Sequence, residues 1–170
     1  MSENELLRQT HKNAERHFKN DEYTQAAACY SKLVPHINEK DIWHIEMLGS
    51  YAICLKHMKE YELSEKILFK QIGLYKEFVS SEISEDIFLS NLSLCEIYQK
   101  QEKYCKAISV LELYAENCDF GMHITNYYLA INQDKVGQPL LAKKHAKLAI
   151  KAANNQDQKT HIRNELKHLL

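Results

Sequence analysis

The chain has 170 residues, with 22 Lys and Arg against 23 Asp and Glu and a formal net charge of −1. That balance lacks the basic surplus that phosphate neutralisation needs, so direct nucleic-acid binding is not expected. No run approaches the roughly 18 apolar residues of a membrane-spanning helix, so membrane insertion is not expected either.

With only 4 Gly and 2 Pro, the chain is poor in helix breakers and rich in unbranched helix formers, which predicts an all-α protein. Leu6, Leu7, Ala14 and Phe18 recur mostly three or four residues apart and predict a first helix. A polar KNDE turn at 19–22 leads to a second helix from Tyr23 to Val34, where Ala26 and Ala27 permit close approach and Tyr30 and Leu33 supply bulk. Pro35 and the polar stretch from His36 to Asp41 end this pair.

The second pair, 41–79, runs from Trp43 through Met47, Tyr51 and Leu55 to an HMKE turn and returns from Tyr61 through Ser64, Leu68 and Ile72 toward Val79. Ser80, Ser81 and Ser84 are N-cap choices for a third pair, 84–115. Its first helix carries Ile87, Leu92, Cys95 and Tyr98; the second carries Tyr104, Ala107, Ile108, Leu111 and Tyr114. A polar break at 116–119 and Gly121 lead to a fourth pair, 122–153, with Tyr127, Tyr128 and Ala130 before a looser NQDKVGQP linker and Ala142, His145, Ala146 and Ala149 after it. Ile162, Leu166 and Leu169 predict a final helix over 157–170 that caps the array. Tyr23, Tyr61 and Tyr104 open equivalent return helices 38 and 43 residues apart. No unit of this kind buries both of its apolar faces alone, so neighbouring units are expected to stack within one repeat domain over 1–170.

The segment CEIYQKQEKYCKAISVLELYAE at 95–116 resembles the tetratricopeptide-repeat (TPR) superfamily, with Cys95, Tyr98, Tyr104, Ala107 and Leu111 at its helix-packing places. AERHFKNDEYTQAAACYSKLV at 14–34 is similar, through Ala14, Tyr23, Ala26 and Tyr30. Ala52, Tyr61, Ser64 and Leu68 give a degenerate second repeat; Ala130, Ala142, Ala146 and Ala149 give a fourth, with Pro139 where the family has an aromatic. The resemblance covers roughly 5–153 and implies a right-handed solenoid of about four antiparallel helix hairpins plus the terminal cap. Repeat intervals beyond the family's usual 34 residues look like its divergent peptide-sensing regulators. Those proteins place a DNA-binding helix-turn-helix before the repeats, for which this chain has no room.

The resemblance implies a concave surface, lined by the first helix of each pair, that binds a peptide or protein segment. Carried over place by place, its lining is Arg8, His11, Glu15 and Lys19; Glu46, Ile53, Lys56 and His57; Leu92, Glu96, Gln99 and Lys100; and Tyr127, Ile131 and Asp134. The charged members fit the solvent face of an ordinary helix as well, and Ile53, Leu92 and Ile131 fit ordinary packing. Because Tyr127 and Tyr128 are adjacent, one is expected to pack while the other reaches outward. Glu15, Ile53, Glu96 and Ile131 stand where the family's carboxylate-clamping members have informative Asn residues, which argues against chaperone-tail recognition and favours a basic or amine-containing peptide.

Two local charge runs fit ordinary solvated faces and, as the alternative, partner surfaces: 77–96 contains five acids and no Lys or Arg, whereas 143–168 contains seven Lys and Arg against Asp157 and Glu165. Cys29, Cys54, Cys95, Cys105 and Cys118 form no CxxC pattern, and with no signal peptide at the start they read as reduced thiols in a cytoplasmic protein. Cys54 and His57 neighbour each other in CLKH, but no second half of a zinc site accompanies them. No HExxH, phosphate loop or nucleophile elbow is present. The expectation is a non-enzymatic, cofactor-free and metal-free regulatory binding module. The alternatives are a cytosolic assembly or secretion chaperone, dimerising through Leu6, Leu7 or the final helix, and an oligomeric scaffold.

Overall fold

The structure, a computed structural model, describes residues 3–79, 84–117 and 120–170. Ser80, Ser81, Glu82, Cys118 and Asp119 lie outside the described residues. Those described form α-helices and short 3-10 turns joined by loops, and none is in a β-strand. The helices are α1 (Glu3–Lys19), α2 (Tyr23–Leu33), α3 (Ile42–His57), α4 (Tyr61–Val79), α5 (Glu85–Lys100), α6 (Tyr104–Ser109), α7 (Tyr114–Asn117), α8 (Met122–Lys135), α9 (Pro139–Ala152) and α10 (Gln156–Glu165). They follow one another as antiparallel hairpins, and their contacts group into two compact units, Met1–Glu82 and Ile83–Leu170.

Every hairpin turns the same way. The backbone N–H groups of Glu22, Glu60, Lys103 and Gln138 donate to carbonyls five residues back, on His17, Leu55, Tyr98 and Gln133, at 2.8–2.9 Å. The residue before each donor sits in left-handed backbone: Asp21 at φ 58°, Lys59 at 64°, Glu102 at 58° and Gly137 at 75°. This is the Schellman ending, which satisfies the last carbonyls of one helix while reversing the chain. The return helix then starts at once, with Ala26, Ser64, Ala107 and Ala142 donating backbone N–H to the last turn residue at 3.0–3.1 Å.

Those four small residues are also the packing device. Each lies twelve positions after a small residue of the preceding helix, giving the pairs Ala14–Ala26, Ala52–Ser64, Cys95–Ala107 and Ala130–Ala142. All eight are at most 1% exposed. In the second pair the Ser64 hydroxyl donates to the Ala52 carbonyl at 2.7 Å, a direct mark of how closely the helices approach. A larger side chain at any of these places would push the helices apart, at a cost of about 1–3 kcal/mol.

In the N-terminal unit α1 packs on α2, α2 on α3 and α3 on α4, around Tyr30, Ile45, Leu48, Tyr51 and Leu68. The Asp41 carboxylate caps α3 by accepting from the Trp43 N–H at 3.0 Å. Gly49 leaves room for the buried Gln71 amide, which donates to the Ile45 carbonyl at 3.0 Å; a Cβ at Gly49 would lie 2.6 Å from Gln71 Nε2.

In the C-terminal unit Ser84 caps α5, accepting from the Ile87 N–H at 3.2 Å. The expected second helix of this pair is divided. After Ser109, whose hydroxyl donates back to the Lys106 carbonyl, bonds from Leu111 to Ile108, Tyr114 to Leu111 and Ala115 to Glu112 span only three residues. The β-branched Ile108 and Val110 on either side of Ser109 hold the α-helix weakly. Burial of Leu111 and Tyr114 and the bond from Asn91 Nδ2 to the Tyr114 hydroxyl at 2.9 Å then fix the tightened path. Pro139, in place of the aromatic, opens α9 at a position where its missing N–H costs nothing. α10 and the short turn after it bring Ile162, Leu166 and Leu169 onto Ala130, Ala142, Ala146 and Ala149, covering the end of the fourth pair.

Candidate functional site

In the N-terminal unit two adjoining clefts open between α1 and α3, above the end of α2. One, of about 590 Å³, has Leu7, Leu33, Ile37, Trp43 and Met47 as its apolar lining and Arg8 and Lys12 on the α1 side. The other, of about 220 Å³, is lined by Glu15 and Lys19 from α1, Glu46 and Ser50 from α3, and Tyr30 below. His11, Trp43 and Met47 line both, so the clefts form one groove. Low numbers on α1 face low numbers on α3, and high face high, so the two helices run along it in the same direction.

The groove is held by its neighbours. The Asp41 cap fixes the first turn of α3, and with it the direction of Trp43. The Asn38 N–H donates to His44 Nδ1 at 2.9 Å, tying the loop before α3 to its first turn. Trp43 is 72% exposed, leaving a large apolar side chain in water at the mouth of the groove. Burial pushes the Tyr30 hydroxyl below the groove up to about 12, so it stays a neutral phenol.

Arg8, His11, Glu15, Lys19 and Glu46 thus come together in one place. The rest of the second set does not join them. His57 stacks face to face on Tyr23, with centroids 3.9 Å apart and planes within 7°, beside the first hairpin turn. Ile53 and Lys56 are half-buried along α3.

In the C-terminal unit the expected lining is largely engaged within the fold. Glu96 accepts from the Tyr128 hydroxyl at 2.9 Å, and Gln99 Nε2 donates to Asn132 Oδ1 at 2.9 Å, stitching α5 to α8. Asn132, fully buried, also reaches the Cys95 thiol at 3.5 Å. Ile131 packs on the alanine cluster, Asp134 pairs with His168 at 3.3 Å, and Lys100 is exposed at the end of α5. Tyr127 and Tyr128 do not diverge as their adjacency suggests: their rings meet edge to face, 5.5 Å apart. Both line a cavity of about 290 Å³ with Leu92, Ile124, His161 and Ile162.

Burial pushes the Cys54 thiol up to about 11 and the Cys95 thiol up to about 12, leaving both protonated and poor nucleophiles near neutral pH. Among the described residues no three His, Cys, Asp or Glu side chains are grouped to hold a metal ion, and no helix is long and apolar enough to cross a membrane.

The sequence matches no protein-family model and no curated protein. Solved structures are similar in fold. The nearly identical TPR-like repeats of a kinesin light chain candidate from Podosopora anserina align over 99% of this chain and 87% of theirs, at 13% identity and a TM-score of 0.75. MamA residues 41 to the end, from Desulfovibrio magneticus RS-1, align over 96% and 92%, at 14% identity and a TM-score of 0.69. A MamA RS-1 double mutant aligns over 95% and 84%, at 14% identity and a TM-score of 0.72. The hairpin geometry and these likenesses together identify an all-α repeat fold with TPR-like architecture.

Proposed function

We propose that the protein is a peptide- or protein-binding module and that the groove between α1 and α3 is where it takes hold of an extended segment. The observation that carries this is Trp43, 72% exposed beside Met47, Leu7 and Leu33 and flanked by ionic side chains from α1. An apolar anchor with a few charged groups around it supplies affinity through burial and orientation through charge. The regulatory output implied by the resemblance to peptide-sensing proteins belongs to the same reading: a ligand touching both α1 and α3 favours one spacing of the two helices.

Trp43 is the chain's single tryptophan among ten tyrosines, so emission excited at the red edge, where tyrosine does not absorb, reports on the groove. Peptides selected from a displayed library against the folded protein are expected to shift that emission saturably. Trp43→Ala is expected to weaken them by about 30-fold or more, the usual effect of truncating a central aromatic. Selected peptides that leave the emission unchanged and bind Trp43→Ala equally well would refute the assignment.

A further inference from the structure

The groove is electrically divided along its length, and this deepens the peptide-binding reading on which it rests. Its larger half carries Arg8 and Lys12, with His11, His36 and His44 around them, and no acidic residue among its described lining. Its smaller half carries Glu15 and Glu46, with Lys19 beyond them on α1. Between the halves sit the residues that line both, Trp43 and Met47 among them. Arg8, Lys12, Glu15 and Glu46 are all exposed, so their charges act on whatever enters rather than on a buried partner.

We infer that the groove is built for an extended peptide segment carrying an acidic side chain, an apolar anchor and a basic side chain, in that order along its axis. The acid sits against Arg8 and Lys12, the apolar side chain against Trp43 and Met47, and the base against Glu15 and Glu46. Arg8 and Glu15 are two helical turns apart, about 10 Å along α1. An extended chain covers that distance in about three residues, so the acid and the base stand at positions i and i+3. Like charges at either end meet repulsion, which excludes uniformly acidic or basic segments. The basic peptide that Glu15 favours is thereby narrowed to one whose cationic group is paired with an anionic one.

The test uses Trp43 emission with acetylated, amidated peptides built on Glu-Gly-Leu-Lys and on Lys-Leu-Gly-Glu, so that either chain direction is offered. All-acid and all-base versions have Glu or Lys at both charged places. The mixed-charge peptides are expected to bind the wild type at least about tenfold tighter than either uniform one. In Arg8→Glu/Lys12→Glu the preference moves to the all-base peptide, and in Glu15→Lys/Glu46→Lys to the all-acid peptide. Helical circular dichroism and the urea midpoint are expected to stay at wild-type values, because all four side chains are exposed. Equal affinity for the mixed and the uniform peptides, or preferences that ignore the charge reversals, overturns the charge order and leaves the groove as a binding site. A Trp43 signal that answers neither these peptides nor library-selected ones overturns the groove itself.

Discussion

Three of the four hairpin turns place a side chain where glycine fits best. Lys59 and Glu102 hold φ 64° and 58° with no β-carbon-free residue to accommodate it, whereas the matching position of the fourth turn is Gly137 at 75°. Left-handed backbone costs a non-glycine residue about 1–2 kcal/mol, and glycine returns about 0.5–1 kcal/mol of that through its freer unfolded chain. Lys59→Gly and Glu102→Gly are therefore expected to stabilise the fold by about 0.5–1 kcal/mol each. At this chain length that raises Tm by about 1–4 °C. Asp21→Gly is expected to gain less, because Asp tolerates this region and the Asp21 carboxylate accepts the Tyr23 hydroxyl at 2.6 Å. Gly137→Ala is the converse. An added Cβ there meets nothing within 4 Å, so its expected loss of about 1 kcal/mol is backbone strain alone. Urea unfolding followed by circular dichroism, with an unchanged slope, measures each difference. Destabilisation by both Lys59→Gly and Glu102→Gly, or a neutral Gly137→Ala, would refute the assignment of strain to these turns.

Gly121 combines φ 66° with a Cβ position 2.4 Å from the Phe88 ring, so Gly121→Ala is expected to cost clearly more than Gly137→Ala in the same urea experiment. Gly49→Ala is expected to displace Gln71 from the Ile45 carbonyl and cost about 1–3 kcal/mol; adding Gln71→Ala should recover part of it, a non-additivity that a double-mutant cycle reads directly. In a Cys118→Ser background, alkylation of the folded protein at pH 8 is expected to label exposed Cys105 and then half-buried Cys29, leaving Cys54 and Cys95 unlabelled in peptide maps until urea unfolds the chain. Those two thiols are protonated in both folded and unfolded chains below their ordinary value of 9.0. Above it the unfolded chain releases protons that the folded one retains, so their contribution to stability falls as pH rises from 9 toward 11 and 12. Urea midpoints that decline over that range in the wild type, and less in Cys54→Ala/Cys95→Ala, check the sign.

The hairpins were legible because their signals are local. A polar turn, a Tyr or Pro at the helix start and a small residue three places later mark each return helix whatever surrounds it. The division between α6 and α7 was not legible, since the apolar period through Leu111 and Tyr114 continues unbroken; the residues around Ser109 only weaken the helix, and burial of Tyr114 with its bond from Asn91, on another helix, fixes the tightened path. At the site, Arg8, His11, Glu15, Lys19 and Glu46 follow from helical spacing, but Trp43 reads as one more apolar residue of the α3 stripe. Its 72% exposure depends on which elements pack around α3, a tertiary fact. A signal was present: Trp43, Glu46, Met47 and Ser50 share one helical face, which the apolar period alone conceals. Glu96 and Gln99 failed to signal their fate for a related reason, because their partners Tyr128 and Asn132 lie more than thirty residues on.

The twelve-residue step from small residue to small residue is the same in all four hairpins, while the step from one hairpin to the next is 38, 43 and then 35 residues. Length is thus rationed inside a hairpin and spent freely outside it. An insertion of one residue within a hairpin would rotate one helix by about 100° and turn its small contact residue away from its mate. The same insertion in the connection between hairpins lengthens a loop at little entropic cost. Each hairpin therefore keeps its own register whatever the length of chain that joins it to the next.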